Sequence, residues 1–208
     1  AAAGEAEASA VQEGPLWPGF ARERRVDVLG IGQSSLDRVV FVEGPPPLGD
    51  APPEPSGGAL ELPGGQVATA MVACSRLGLR TRYLGPVGDD GAGQRTVEEL
   101  IREDVDVSAI RVIPGGRTRR AVVLVDARSG ERTVLAHADP RTAVAPEEVD
   151  ADALCSGRLV HLDGSFPETA LRCAQLARDA GCLVSLDLDT PYPGVEELIA
   201  LADLCIVP

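Results

Sequence analysis

The chain has 208 residues, of which 44% are apolar and 25% charged, a composition typical of a soluble globular protein with room for one substantial core. A formal net charge of −13 argues against nucleic acid or an anionic membrane surface as a partner, because both require clustered cations. All basic residues are arginines, and neither lysine nor asparagine occurs, which points to a GC-rich genome rather than to a functional choice.

The N-terminal segment, residues 1–25, is rich in Ala, Glu and Gly and is predicted to be a disordered tail. It contains no apolar signal segment, and no stretch of the sequence reaches the length of a membrane span. The five cysteines are scattered without a Cys-x-x-Cys pair, which favours small buried side chains in a reducing compartment. We therefore expect a cytoplasmic protein with no membrane partner.

From residue 26 onward, short apolar runs alternate with helical periods, a pattern typical of βα units around a largely parallel sheet flanked by helices. The predicted strands are 26–32, 81–84, 158–162, 182–187 and 204–207, and the predicted helices are 67–77, 94–102, 167–180 and 195–201. Four further β-like segments interrupt this alternation, at 38–42, 59–62, 119–125 and 132–136, and the last two are predicted to form a hairpin. We expect all four to form a separate small sheet.

Two neighbouring glycines stand directly before the first predicted helix. Gly64 and Gly65 can adopt positive φ and lack Cβ atoms, so backbone can approach a ligand closely there. The N–H groups at the start of the following helix would point at that ligand, although an ordinary loop-to-helix junction has the same sequence. Asp37 follows the first strand, where open α/β sheets bind ligands, and its carboxylate would either accept hydrogen bonds from hydroxyl groups or satisfy a turn.

Several short motifs follow one another in a fixed order along the chain: Gln33-Ser34-Ser35-Leu36-Asp37, Gly64-Gly65-Gln66, Gly88-Asp89-Asp90-Gly91-Ala92-Gly93, Gly130-Glu131-Arg132-Thr133-Val134 and His161-Leu162-Asp163-Gly164. Their order and spacing resemble the ribokinase-like (PfkB) carbohydrate kinases, over residues 26–208. The resemblance implies a ribokinase-like α/β domain, with segments 38–62 and 117–137 inserted as a β-sheet lid over a sugar. It also implies ATP-dependent phosphorylation of a hydroxyl group on a sugar or sugar derivative, with ATP and Mg²⁺ as cofactors.

The resemblance assigns a set of substrate-binding residues, which are Ser35, Asp37, Gly64, Gly65, Gln66, Thr69, Asp163 and Arg120. Thr69 stands where the family usually carries asparagine, and its hydroxyl lacks the two-sided hydrogen bonding of an amide, which leaves the identity of the substrate open. Arg119 and Arg120 lie on the implied lid and would either bind an anionic group of the sugar or remain exposed.

Four further aspartates have predicted roles. Asp90 is expected to cap the helix that follows it rather than to contact a ligand directly, and Asp89 beside it is expected to be solvated. Asp187 and Asp189 either lie where nucleotide and metal approach in the resembled family or only end a strand.

In the resembled family, the catalytic aspartate, the phosphate-binding Gly-rich turn and an Asn-x-x-Glu element lie toward the C-terminus. No counterpart occurs before Pro208. We therefore expect the C-terminal part of the fold to be missing from this chain, no catalytic residue to lie within it, and the chain alone to be inactive.

Other interpretations are open. Residues 30–35 begin like the dinucleotide-binding G-x-G-x-x-G motif, but the third glycine is absent and a strand-like segment follows. A non-catalytic sugar-binding module of the same fold and an adenosine-type nucleoside kinase are the remaining alternatives. Lids in the family pair between subunits, so a homodimer through the lid is one arrangement open to this chain.

Overall fold

The computed structural model describes residues 25–44 and 57–208. The expected tail, apart from Arg25, and most of the proline-rich stretch of the first lid segment lie outside the described residues. The strands are β1 (Val26–Ile31), β2 (Ser35–Val42), β3 (Leu60–Gly64), β4 (Thr81–Leu84), β5 (Pro86–Gly88), β6 (Arg111–Ile113), β7 (Arg120–Asp126), β8 (Arg132–His137), β9 (Gly157–Leu162), β10 (Leu183–Asp187) and β11 (Leu204–Ile206). The α-helices are α1 (Gln66–Arg76), α2 (Gly91–Arg102), α3 (Ala151–Leu154), α4 (Pro167–Asp179) and α5 (Val195–Ala200).

The main sheet has the strand order β11-β10-β9-β1-β4, and every pairing in it is parallel. Alternate residues of β1 point to opposite faces, so the strand contributes to two cores. Leu29 packs in the core that includes α4, whereas Val28 packs with Val67 and Met71 of α1. The predicted parallel sheet flanked by helices is therefore confirmed.

A second sheet has the order β3-β2-β7-β8, and we call it the lid. β2 pairs with β7 in parallel and with β3 in antiparallel register, while β7 and β8 form the predicted hairpin. The lid has two faces, because side chains alternate along each strand. Ser35, Asp37 and Ala121 share one face, and α2 packs on the other, where Arg95 pairs with Glu61.

Some element boundaries differ from the sequence-based expectation. The first lid strand begins at Ser35 rather than at residue 38, so it carries both Ser35 and Asp37. Helix α2 begins at Gly91 rather than at residue 94, because Asp90 caps its first turn. The short parallel pair of β5 and β6 was not predicted. None of the helices in the described ranges has the length and apolar character needed to cross a membrane.

Candidate functional site

The candidate site forms where the main sheet meets the lid, at the carboxyl end of β1. Only three residues separate the end of β1 from Ser35, where the chain enters the lid and pairs with Gly64 of β3. The carboxylate of Asp37 lies so close to Gly64 that a Cβ atom there would overlap Asp37 Oδ2 and would lie 3.0 Å from Ser35 Oγ. Because glycine leaves this space free, the Ser35 hydroxyl and the Asp37 carboxylate both lie beside Gly64.

Gly65 brings the start of α1 to the same point. Its φ is 97°, in the region that favours glycine, and a Cβ atom on it would overlap the Gln33 carbonyl oxygen and lie 2.6 Å from Ser34 Cα. Gly65 is also the N-cap of α1 and has no side chain with which to cap the first turn. The N–H groups of that turn are therefore left without intrahelical partners beside Ser35 and Asp37.

Three buried polar atoms at this point lack a hydrogen-bond partner within the described part of the chain. They are Ser35 Oγ, Asp37 Oδ1 and Gln66 Nε2. A buried polar atom without a partner costs about 1–3 kcal/mol, so three at one point are expected to be completed by a ligand or by ordered water. Carboxylate and hydroxyl oxygens accept hydrogen bonds, and hydroxyl and amide groups donate them. The cluster is thus suited to a ligand rich in hydroxyl groups.

Asp163 ties the main sheet to this cluster. It follows β9, is only 6% exposed, and accepts hydrogen bonds from Gln33 N (2.8 Å) and Ser165 N (2.9 Å). Burial raises the pKa of Asp163, and the two N–H donors oppose that increase. Asp163 therefore fixes the connection between β1 and β2 against the loop that leads into α4.

A recess with a volume of about 290 Å³ opens beside these residues. Its wall includes Gln33, Ser34, Arg119, Thr142, Ser165 and Phe166. Two of these residues, Gln33 and Ser165, are the partners of Asp163, so the recess adjoins the predicted site.

Two neighbouring arginines occupy different positions. The backbone oxygen of Arg119 accepts a hydrogen bond from Leu36 N (3.0 Å), and Arg119 lines the recess. The next residue, Arg120, has a 56% exposed side chain, with Nη2 3.6 Å from Asp90 Oδ2. Arg120 was predicted to contact the substrate, whereas the arginine that borders the recess is Arg119. Strand alternation was the available signal, because Ala121 pairs with Asp37 and so places Arg119 on the Asp37 side.

Thr69 is exposed and lines a different groove, between α1 and α2. That groove also has a volume of about 290 Å³ and is bordered by Gly64 on one side and by Thr96 and Leu100 of α2 on the other. Thr69 N donates to the Gly65 carbonyl oxygen, as the fourth helical residue should. The structure thus gathers Ser35, Asp37, Gly64, Gly65 and Gln66, with Asp163 joined to them through Gln33, while Thr69 lines this neighbouring groove.

The paired aspartates before α2 both make structural hydrogen bonds. Asp90 Oδ1 accepts from Gly93 N (3.0 Å) and from Thr118 Oγ1 (2.7 Å), which confirms it as the helix cap. Asp89 is exposed, as expected of a solvated side chain, and its Oδ2 also accepts a hydrogen bond from Gly115 N (2.9 Å). A turn contact between residues 26 positions apart leaves no local signal in the sequence.

The two remaining aspartates of the sequence analysis follow β10. Asp187 is the last residue of that strand and is half-buried. Asp189, two residues further on, is exposed. A role of either carboxylate toward nucleotide or metal stays a prediction.

A parallel α/β sheet whose first strand leads directly into a β-sheet lid defines the ribokinase-like class of folds. The structure superimposes on that of a putative ribokinase from Agrobacterium tumefaciens with a TM-score of 0.75 and 29% identity, covering 88% of this chain and 59% of the other. It superimposes on Arabidopsis thaliana ribokinase with a TM-score of 0.71 and 21% identity, covering 88% and 60%. Residues 27–207 match the pfkB family carbohydrate kinases, and the chain belongs to that family.

The curated relatives that match this chain are named as kinases of different substrates. An ATP-dependent ribose-1-phosphate kinase from Halopiger xanaduensis is 35% identical over 124 residues, which are 60% of this chain and 42% of the relative. A probable fructokinase-4 from Arabidopsis thaliana is 31% identical, covering 80% and 51%. A nucleoside kinase from Methanothermobacter thermautotrophicus is 29% identical, covering 77% and 51%. The chain spans about half the length of the curated relatives it matches.

Proposed function

We propose that this protein serves in the ATP-dependent phosphorylation of a hydroxyl group on a sugar or sugar derivative, and that the described residues bind the acceptor. The observation that carries the proposal is the cluster of buried, unpartnered polar atoms on Ser35, Asp37 and Gln66 around Gly64. Membership of the pfkB family supports the same conclusion.

Each residue of the cluster has a distinct role in this proposal. Asp37 accepts hydrogen bonds from two neighbouring hydroxyl groups, and Ser35 and Gln66 contact the same ring from either side. Gly64 and Gly65 leave space for the ring against the backbone and direct the first N–H groups of α1 toward it. Asp163 is a positioning residue, because it holds Gln33 and Ser165 in place. Holding the acceptor in one orientation is a large part of catalysis in phosphoryl transfer.

We include ATP and Mg²⁺ in the proposal because the chain belongs to the pfkB family. In ranges 25–44 and 57–208, no group of three or more His, Cys, Asp or Glu side chains is arranged to hold a metal ion. We therefore assign no metal-dependent step to the described residues. We propose that the 208-residue chain binds acceptor but does not phosphorylate it alone, and formation of sugar phosphate from ATP by the purified chain would refute this.

The test of acceptor binding is isothermal titration calorimetry with D-ribose, D-fructose and adenosine. Asp37→Asn removes the charge but keeps the shape, and a lost charge-assisted hydrogen bond of about 1.5–3 kcal/mol corresponds to roughly 10- to 150-fold weaker binding. Asp179→Asn, an exposed change at the end of α4, is the matched control and should bind as the parent does. Unchanged affinity in Asp37→Asn would reject the proposed site. Tight binding of adenosine alone would identify a nucleoside kinase.

A non-catalytic sugar-binding module is distinguished by a second measurement. We propose that a protein comprising this chain and the C-terminal part of the kinase fold transfers phosphate from ATP to its acceptor. Binding of sugar by such a protein without any turnover would favour the non-catalytic module.

We further propose that two copies of the protein pair through the lid. The lid face that carries Asp37 also exposes a row of large apolar side chains, namely Phe41, Leu60, Leu62 and Val134. Contiguous apolar surface of this kind marks interaction sites, and lid pairing in the family supplies the partner.

A further inference from the structure

Arg119 is a half-buried cation without a carboxylate partner in the described part of the chain. No ion pair or hydrogen bond of its guanidinium group is formed there, although eleven other basic side chains make ion pairs. Its backbone is fixed to Leu36, between the two cluster residues Ser35 and Asp37. The charge is therefore held beside the acceptor cluster on a defined strand rather than on a free loop.

The single carboxylate that lines the same recess cannot serve as the partner of Arg119. Asp139 already accepts hydrogen bonds from the Arg141 guanidinium group (2.7 Å) and from the backbone nitrogens of Arg117 (2.9 Å) and Arg141 (3.0 Å). These donors hold the pKa of Asp139 well below its usual range, so the carboxylate stays ionised and internally compensated. The recess is thus left with one uncompensated positive charge.

Neutral hydrogen-bonding groups line the recess together with Arg119. Ser34 and Ser165 carry hydroxyl groups and Gln33 carries an amide, whereas the Thr142 hydroxyl already donates to the Asp139 carbonyl oxygen (2.7 Å). A guanidinium group accompanied by hydroxyl donors matches the several acceptor oxygens of a phosphate or carboxylate group. A neutral sugar would leave the half-buried charge without a counter-ion.

We infer that the acceptor carries an oxyanion, a phosphate or a carboxylate, and that Arg119 binds this group in the recess while the Asp37 cluster binds the hydroxyl groups. The inference rests on the proposed function and narrows its substrate class. Arg119 is then the residue that sets specificity between anionic and neutral sugars.

The experiment is calorimetric titration of the full chain with matched sugars. The neutral probes are D-ribose and D-fructose, the phosphate probes are D-ribose 1-phosphate and D-fructose 6-phosphate, and the carboxylate probes are D-ribonate and D-gluconate. We expect at least one anionic probe to bind tenfold or more tightly than its neutral counterpart, and this preference to decrease as salt is added. The phosphate and carboxylate probes decide which oxyanion is preferred.

Three variants assign the preference to Arg119. Arg119→Gln should remove it, and Arg119→Lys should retain part of it, because lysine keeps the charge but loses the bidentate geometry. Arg132→Gln makes the same charge change on the exposed lid strand β8 and should keep the preference in full. Circular dichroism verifies that each variant is folded.

The outcomes separate this inference from the proposed function. If neutral sugars bind as tightly as their anionic derivatives, the inference alone is overturned. The same holds if Arg119→Gln weakens the binding of neutral and anionic probes equally. A chain that binds none of the six probes would overturn the proposed function together with the inference.

Discussion

The carboxylate of Asp37 lies against the Cα of Gly64, in the space that a side chain at position 64 would fill. This contact joins adjacent strands of the lid through two residues that are 27 positions apart in sequence. It also means that the position of the carboxylate can be changed without mutating Asp37 itself.

Gly64→Ala should therefore impair ligand binding more than folding. The added methyl group would displace Asp37 and Ser35, and we expect at least tenfold weaker acceptor binding with a stability loss of about 1–3 kcal/mol from overpacking. Calorimetry and chemical denaturation measure the two effects. Gly58→Ala, where a Cβ atom meets open space, is the control, and equal binding losses in both variants would contradict the expected geometry.

Gly65→Ala should act mainly on stability. The residue combines a φ of 97° with a Cβ position that overlaps backbone, so strain and steric overlap add. Gly181→Ala isolates the first effect, because its φ is 70° and nothing lies near its Cβ position. We expect a loss of about 1–2 kcal/mol in unfolding free energy for Gly181→Ala and a clearly larger loss for Gly65→Ala. Similar losses would show that the contact with Gln33 is not tight.

Asp163 should make stability depend on pH. Burial raises its pKa above 3.8, so the folded chain holds the proton more tightly than the unfolded chain. This contribution is complete below pH 3.8 and is lost as the pH rises through the folded-state pKa. Asparagine cannot ionise, so the unfolding free energy of the parent minus that of Asp163→Asn should fall with rising pH, by up to about 1.4 kcal/mol per pH unit.

Denaturant titrations of both proteins between about pH 4 and pH 8 provide the measurement. A difference that rises with pH would mean that the hydrogen bonds from Gln33 and Ser165 outweigh burial and lower the pKa instead.

Val134→Glu should separate the proposed lid-mediated dimer. Val134 is 50% exposed on the lid face that carries Asp37, and a carboxylate there would be costly to bury in an interface. Sedimentation velocity should show a dimer for the parent and a monomer for the variant at equal concentration. Glu131→Gln, in the turn before β8, is the control. A monomeric parent protein would refute the dimer.

The main sheet could be predicted from sequence because each of its strands is a short apolar run between helical periods. The predicted strand at 81–84 coincides with Thr81–Leu84, and each of the other four differs by one residue at one of its ends. The short strands β5 and β6 could not be found in this way, because Pro86–Gly88 has no apolar alternation and is held by a distant partner.

Within the candidate site, the glycine pair and Asp37 were recognisable because their residue types match a chemical requirement. The role of Arg119 could not be recognised in this way, because Arg119 and Arg120 are identical neighbours that differ only in the face of the lid they occupy. That face depends on the register between β7 and β2, which is a tertiary property. Likewise, Asp89 is bound to Gly115 through a contact that residue type alone does not reveal.

The passage of the chain from β1 into β2 links the two sides of the pocket. Asp163 directly follows strand β9 of the main sheet, whereas Asp37 belongs to the lid, and residues 32–34 connect β1 to β2 between them. Any tilt of the lid would therefore alter the separation of the two carboxylates and open or shut the gap between them. A guest molecule that contacts both carboxylates would therefore be held between two sheets whose connection from β1 to β2 is only three residues long.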